Sequence, residues 1–248
     1  MIKKHNIISE FLVYTYVSVK YLLINGKWSV FVSDIMRFSF WRKTRKKSAD
    51  NLLTHYPWLA FGAIDFLEQW LHKEMNVFEY GSGSSTLFFA KRVNSVISID
   101  HNKDWFKNGE ASKLKYHLHN VQYLLREPQP RQIESGQCNN PDLYLSCMGE
   151  YANYSFEQYV KSIDSFPDAY FDLVVVDGRA RPSCLKHAVN KVKVNGILLL
   201  DNADRNYYTQ YLPQLFHEDS WEIKIFKGHL PYNSASELDT TILFTKKK

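Results

Sequence analysis

Phe171-Asp-Leu-Val-Val-Val176 and Gly196-Ile-Leu-Leu-Leu200 are short, almost continuous apolar runs, and an aspartate follows each at once: Asp177 and Asp201. Runs apolar at nearly every position, not at alternate ones, belong to strands buried on both faces. Two more runs behave alike, Val77 to Tyr80 with Glu79 inside it and Ser95 to Ile99 ending at Asp100. Further strands are expected at Val121–Leu125, 222–226 and 240–244. Helical spacing fills the intervals at 57–71, 84–92, 103–118, 155–163, 183–192 and 207–216. This alternation predicts an α/β fold: a Rossmann-like, mostly parallel seven-stranded sheet with helices on both faces. Such sheets bind ligands at the carboxyl ends of their strands, which here carry Glu79, Asp100, Asp177 and Asp201.

A length of 248 residues suits one sizeable domain, expected over 51–248, with an N-terminal helical appendage over 1–50. The net charge of +5 is unevenly spread. Residues 1–50 hold ten Lys/Arg against three Asp/Glu, a net of +7, which leaves −2 for the remainder. The main domain is thus not basic, and no nucleic-acid partner is expected. Three cysteines (Cys138, Cys147, Cys184) give an odd count without metal-like spacing. No disulfide framework is expected, and a reducing, cytoplasmic setting is the default.

Residues 7–24 are apolar, but Glu10 and Lys20 leave only nine uncharged residues between them. A spanning helix needs about 20, so none is expected. No small-x-small cleavage site precedes Asn25-Gly26, which argues against a signal peptide. Trp28 to Trp41 mixes aromatics with Asp34 and Arg37, then runs into the basic cluster Arg42-Lys-Thr-Arg-Lys-Lys47. Either these are two helices packed on the domain, or residues 1–47 lie on an anionic membrane surface at its cytoplasmic face.

Glu79-Tyr-Gly81-Ser-Gly83-Ser-Ser-Thr86 is a glycine turn between strand and helix, where the backbone approaches a nucleotide-like ligand closely. A dinucleotide fingerprint needs a third glycine where this chain has Thr86. A carboxylate at Glu79 repels a pyrophosphate and suits a cationic amine. Asp100, about 20 residues on, is placed to accept ribose hydroxyls. Together these acids and glycines describe a site for S-adenosylmethionine. The expected contacts are Glu79, Gly81, Ser82, Gly83, Ser85, Thr86, Asp100 and His101.

At these residues the chain resembles the class I S-adenosylmethionine-dependent methyltransferases. Glu79 to Ser85 is similar to their first motif, E/D-x-G-x-G-x-G, with Ser85 in the third glycine's place. Ile99-Asp100 resembles the acidic end of the second strand, Phe171 to Asp177 the fourth-strand motif, and Val194-Asn-Gly196 the turn into strand five. The likeness spans roughly residues 75–245. It implies methyl transfer, with the protein aligning an acceptor and removing its proton when the acceptor is a hydroxyl. Aminopropyl transfer on the same fold and a non-catalytic nucleotide-binding scaffold tethered by residues 1–47 are the alternatives.

Asp177, Asp201 and Asn202 further resemble the metal-binding positions of the catechol and caffeoyl-coenzyme A O-methyltransferase branch, implying Mg²⁺. That branch has a lysine base three residues after the first aspartate, where this chain has Ala180. Without a metal, Asp177 and Asp201 are expected to cap helices and position the acceptor. Arg179, Arg181 and Arg205 suit an anionic small-molecule acceptor, or ion pairs with the nearby aspartates. Residues 127–154 form a long irregular stretch with Tyr144, Tyr151 and Tyr154, of the kind that covers a substrate. Among the histidines, His187 reads as structural. His229, in Gly228-His-Leu-Pro-Tyr232, is the candidate base, with Asp177 and Asp201 as the catalytic acids. An absent Asn/Asp-Pro-Pro-aromatic motif favours oxygen over nitrogen as the methylated atom.

Overall fold

The computed structural model describes residues 6–25, 28–46, 55–131 and 138–248. The expected boundary near residue 50, Gly26, Lys47 and the segment 132–137 lie outside these described residues. The strands are β1 (Asn76–Tyr80), β2 (Ser95–Asp100), β3 (Val121–Leu125), β4 (Gln129–Pro130), β5 (Tyr154–Ser155), β6 (Phe171–Val176), β7 (Val192–Leu200), β8 (Trp221–Gly228) and β9 (Asp239–Lys246). The helices are α1 (Ile7–Asn25), α2 (Trp28–Lys46), α3 (Phe61–Trp70), α4 (Ser84–Ala90), α5 (Lys103–Lys115), α6 (Glu157–Val160), α7 (Arg181–Ala188), α8 (Asn206–Thr209) and α9 (Leu212–Leu215).

Seven strands form one sheet in the order β3-β2-β1-β6-β7-β9-β8. The β1/β2, β2/β3, β1/β6 and β6/β7 pairs are parallel, and β9 runs antiparallel to both β7 and β8. The expected mostly parallel α/β sheet is therefore present. Its strands alternate between two cores, as the two-residue period of a strand requires. Val77, Leu173, Val175, Ile197 and Leu199 pack with α1–α5, whereas Phe78, Val174, Val176, Leu198 and Leu200 pack with α6–α9.

Several expected elements change at their ends. The helix expected over 57–71 starts only at Phe61, which leaves Pro57 outside it and a bend at Trp58 and Leu59. α5 stops at Lys115 because Tyr116 leaves helical geometry and His117 takes a positive φ of 51°. Pro182 sits in the first turn of α7, so that helix begins two residues early and ends at Ala188. The helix expected over 207–216 is two short ones, with Pro213 opening the second. The irregular stretch contains the two-stranded β4/β5 ribbon and a 3₁₀ turn, Gly149–Tyr151.

The absence of disulfides is also corrected, since Cys138 and Cys147 are bonded, with Cα atoms 5.0 Å apart. A turn at Asn140–Leu143 returns the chain on itself, a proximity that nine residues of sequence spacing do not disclose. Cys184 remains a buried thiol.

The N-terminal helices are keyed into the domain. Tyr14 and Trp41 are fully buried in the core that also holds Phe61 and Leu243. Tyr14 stacks on His229 with ring centroids 3.6 Å apart and donates its hydroxyl to Asp34 O at 2.9 Å. Trp41 Nε1 donates to Asn233 O at 3.1 Å. Among the described residues no helix is long and apolar enough to cross a membrane.

Candidate functional site

The order of strands reverses between β1 and β6, and a cleft of about 200 Å³ opens at that point. Its floor is made by two turns pressed together. Gly81, with φ of 97°, donates its N–H to Ile99 O, and a Cβ there would lie 2.9 Å from the Gly178 backbone. At Gly178 a Cβ would collide with the Tyr159 hydroxyl at 2.0 Å. Only glycine at both positions lets the β1–α4 and β6–α7 turns touch.

Of the expected cofactor residues, Gly81, Ser82, Gly83, Ser85, Asp100 and His101 line the cleft. Asp100 Oδ2 accepts from Ser82 N at 2.9 Å and Ser82 Oγ at 2.7 Å, and Oδ1 accepts from Asn102 N at 2.8 Å. Burial pushes this carboxyl up, but the neighbouring His101 and the hydrogen bonds from Asn102 and Ser82 outweigh it and hold Asp100 below its ordinary range. His101 Nδ1 lies 3.3 Å from Asp100 Oδ1 in a poorly aligned contact, and its Nε2 meets the Tyr151 hydroxyl at 3.1 Å. The irregular stretch thus closes one side of the cleft.

Glu79 and Thr86 do not line the cleft but lie beneath the glycine turn, both fully buried. Thr86 Oγ1 accepts from Gly83 N at 3.1 Å and donates to Glu79 Oε2, which also accepts from Ser98 Oγ at 2.7 Å. Thr86 therefore braces the turn instead of meeting a ligand. Glu79 Oε1 is buried without a partner. Burial raises the Glu79 carboxyl to about 7, against the neighbouring Ser85 hydroxyl and the hydrogen bonds of Ser98 and Thr86, so it is poised between acid and carboxylate.

The second acidic cluster is organised by Arg181, which is 3% exposed. Its guanidinium donates to Gly178 O at 3.1 Å, Asp177 Oδ1 at 2.9 Å, Asn202 Oδ1 at 3.0 Å and the Asp201 carbonyl. Arg181 is thus no acceptor ligand but an internal clamp. Nor do Asp177, Asp201 and Asn202 fit Mg²⁺, since the guanidinium already takes one carboxylate oxygen of Asp177 and the amide oxygen of Asn202 and brings its own positive charge there. Asn202 Nδ2 faces Asp239, and Asp201 Oδ1 accepts from Thr241 Oγ1 at 2.7 Å. Among the described residues no three His, Cys, Asp or Glu side chains converge to hold a metal ion.

Asp201 is 2% exposed behind this clamp, and burial, then the nearby Asp177, drives its carboxyl well above the usual range. Burial also raises Asp177, which its neighbouring arginines oppose; with 26% of its side chain open to the cleft, solvent tempers the rise. Arg179 lines the cleft beside it, 3.5 Å from Glu150 and over the Tyr151 ring. Arg205 leans on Tyr208 and is not part of the lining.

His229 is corrected most sharply. It is fully buried, with Nδ1 3.2 Å from Asp34 and Nε2 3.1 Å from Ala235 O, and it does not line the cleft. Its position after β8 anchors α1 and α2. Sequence reasoning passed over Trp58, Trp105, Ser84 and Gly178, all of which line the cleft. The signal for Trp58 was a large aromatic beside Pro57 that the helical spacing absorbed. Tyr232, three residues after His229, packs on Trp58 with centroids 5.5 Å apart.

No family model and no curated protein sequence matches the chain. Solved structures do. A Streptococcus mutans protein described as a methyltransferase, in complex with S-adenosylhomocysteine, superposes with a TM-score of 0.51 at 11% identity over 74% of this chain and 95% of its own. A Clostridium thermocellum protein described as an rRNA methylase gives 0.51 at 12%, over 75% and 94%. A tRNA methyltransferase from Aquifex aeolicus gives 0.51 at 12%, over 81% and 76%. These last two correct the expectation of no nucleic-acid partner. Net charge summed over a domain says nothing of its local distribution, and the same fold serves proteins described as acting on RNA. At such identity the likeness shows the fold alone, a Rossmann-like, mostly parallel α/β sheet shared with these structures.

Proposed function

We propose that the chain is an S-adenosylmethionine-dependent methyltransferase acting at an oxygen of a small or membrane-proximal acceptor. The observation that carries the cofactor is the convergence of Gly81, Ser82, Gly83, Ser85 and Asp100 on one cleft at the strand-order reversal. Asp100 and His101 would hold the ribose, the Ser82 hydroxyl turning away from Oδ2 to free a lone pair. Glu79 would place negative charge beneath a cationic ligand once it loses its proton. Trp105, on the first turn after Asp100, offers an exposed ring to the adenine. The bound sulfonium supplies an already activated methyl group.

What remains for the chain is alignment and proton removal. Asp177 opens to the cleft and is held by Arg181, which suits it to take a hydroxyl proton. Arg179 beside it would hold an anionic part of the acceptor. A nucleic-acid acceptor is the second reading, favoured by neighbours described as RNA methyltransferases and by this cleft-facing arginine.

Calorimetry with S-adenosylmethionine tests the cofactor: binding is expected, and Asp100→Ala abolishes it. No heat at millimolar ligand refutes the proposal. Labelled cofactor incubated with separate RNA, lipid and small-molecule extracts decides the acceptor, and label in RNA replaces the first reading with the second.

A further inference from the structure

α1 and α2 each turn one stripe to the protein and the opposite stripe to solvent. On α1 the buried stripe is Tyr14, Ser18 and Leu22; on α2 it is Asp34 and Trp41. The outward stripes, spaced by three and four residues, hold Leu12, Tyr16 and Leu23 on α1 and Trp28, Val32 and Met36 on α2. Leu23 is 80% exposed and Met36 77%. Each stripe also carries one exposed lysine, Lys20 and Lys43.

The acids of these helices go the other way. Glu10 is held by Arg42 at 2.8 Å and Arg45 at 3.0 Å, with its own side chain only 10% exposed. Asp34 is buried against Ser18 and His229. Each described carboxylate of α1 and α2 is therefore turned inward and matched; Trp28, Val32 and Met36 border a groove against α3, whose acids Asp65 and Glu68 are held by Arg37 and Arg92, so the charge left on the exposed stripes is that of Lys20 and Lys43. A helix that lies in a membrane interface has this composition. Single exposed apolar residues are ordinary, but an exposed apolar stripe on each of two helices packed together is not.

We infer that this face of α1 and α2 is a docking surface for a lipid bilayer bearing anionic headgroups. A second copy of the chain fits it less well. A self-complementary contact would bring Lys20 and Lys43 into an apolar interface with no carboxylate on the stripe to meet them. Anionic lipid meets the same lysines favourably while the side chains of Leu12, Leu23 and Met36 enter the headgroup boundary. The inference does not depend on which reaction the cleft performs.

The test is flotation of the full-length protein with phosphatidylcholine vesicles, with and without phosphatidylglycerol. The protein is expected to float only with the anionic vesicles, and less so as salt rises. Leu12→Gln combined with Met36→Gln is expected to abolish flotation, and Lys20→Glu to weaken partitioning on the order of tenfold. Thermal midpoint and S-adenosylmethionine binding, measured on each variant, stay as in the parent and show that fold and cleft are intact. Loss of cofactor binding in the parent would sink the methyltransferase reading and leave this one standing. Absence of flotation, equal flotation with neutral vesicles, or flotation unchanged in the variants overturns the inference. So does a lipid-free dimer that Leu12→Gln dissolves.

Discussion

Replacing Glu79 by Gln is expected to stabilise the protein at neutral and alkaline pH while weakening cofactor binding. In the folded chain this carboxyl titrates near 7, against 4.5 when unperturbed, chiefly because it is fully buried. A folded pKa above the unfolded one means the native state binds the proton more tightly. Stability from this group is complete below about pH 4.5, falls as pH rises through the window to about 7, and is gone above it. Raising the carboxyl from 4.5 to about 7 corresponds to roughly 3 kcal/mol. Glutamine keeps an oxygen to accept from Thr86 and Ser98 but carries no charge to desolvate. The difference in stability between Glu79→Gln and the parent should therefore be near zero at about pH 4 and approach roughly 3 kcal/mol by about pH 8. Urea denaturation across that range measures it, and taking the difference at each pH removes the other titrating groups. A difference independent of pH refutes the reasoning, because it would show that Glu79 does not carry a buried, unfavourable charge.

Arg181→Met should cost about 3–5 kcal/mol, since it leaves buried acceptors at Gly178, Asp177, Asn202 and Asp201 without their shared donor. Arg181→Lys should not restore the loss, because an ammonium cannot span those sites; full recovery by lysine in a denaturation series would contradict the clamp. Cys138→Ser together with Cys147→Ser should lower stability by up to about 2.5 kcal/mol by releasing the short loop. Thiol labelling of the denatured, unreduced parent, read by mass spectrometry, should find one free thiol, Cys184, and three free thiols would remove the bond.

The sheet was readable because its central strands are apolar at nearly every position, and few other folds bury short runs in that manner. That Asp100 and the glycines meet at one cleft was readable for a similar reason: the meeting depends on position at strand ends, which sequence order gives. Arg181 was not. One guanidinium gathering groups from 177, 178, 201 and 202 is a fact of β6 lying beside β7, and its spacing resembled a metal site equally well. His229 misled because Gly228 and Pro231 mark a turn, while its burial comes from α1, more than two hundred residues earlier in the chain. The pairing of Cys138 with Cys147 likewise rests on a turn that composition does not announce.

The contact between Gly81 and Gly178 ties the half of the cleft proposed for the donor to the half proposed for the acceptor. Since neither residue admits a β-carbon, the offset between the two halves is set by backbone and is closed to adjustment by substitution. A change of acceptor, whether by natural divergence or by engineering, would have to come from the walls: Trp58, Trp105, Arg179 and the loop bearing Tyr151. The reach between the two bound partners is thus invariant, and diversity is confined to what the rim will admit.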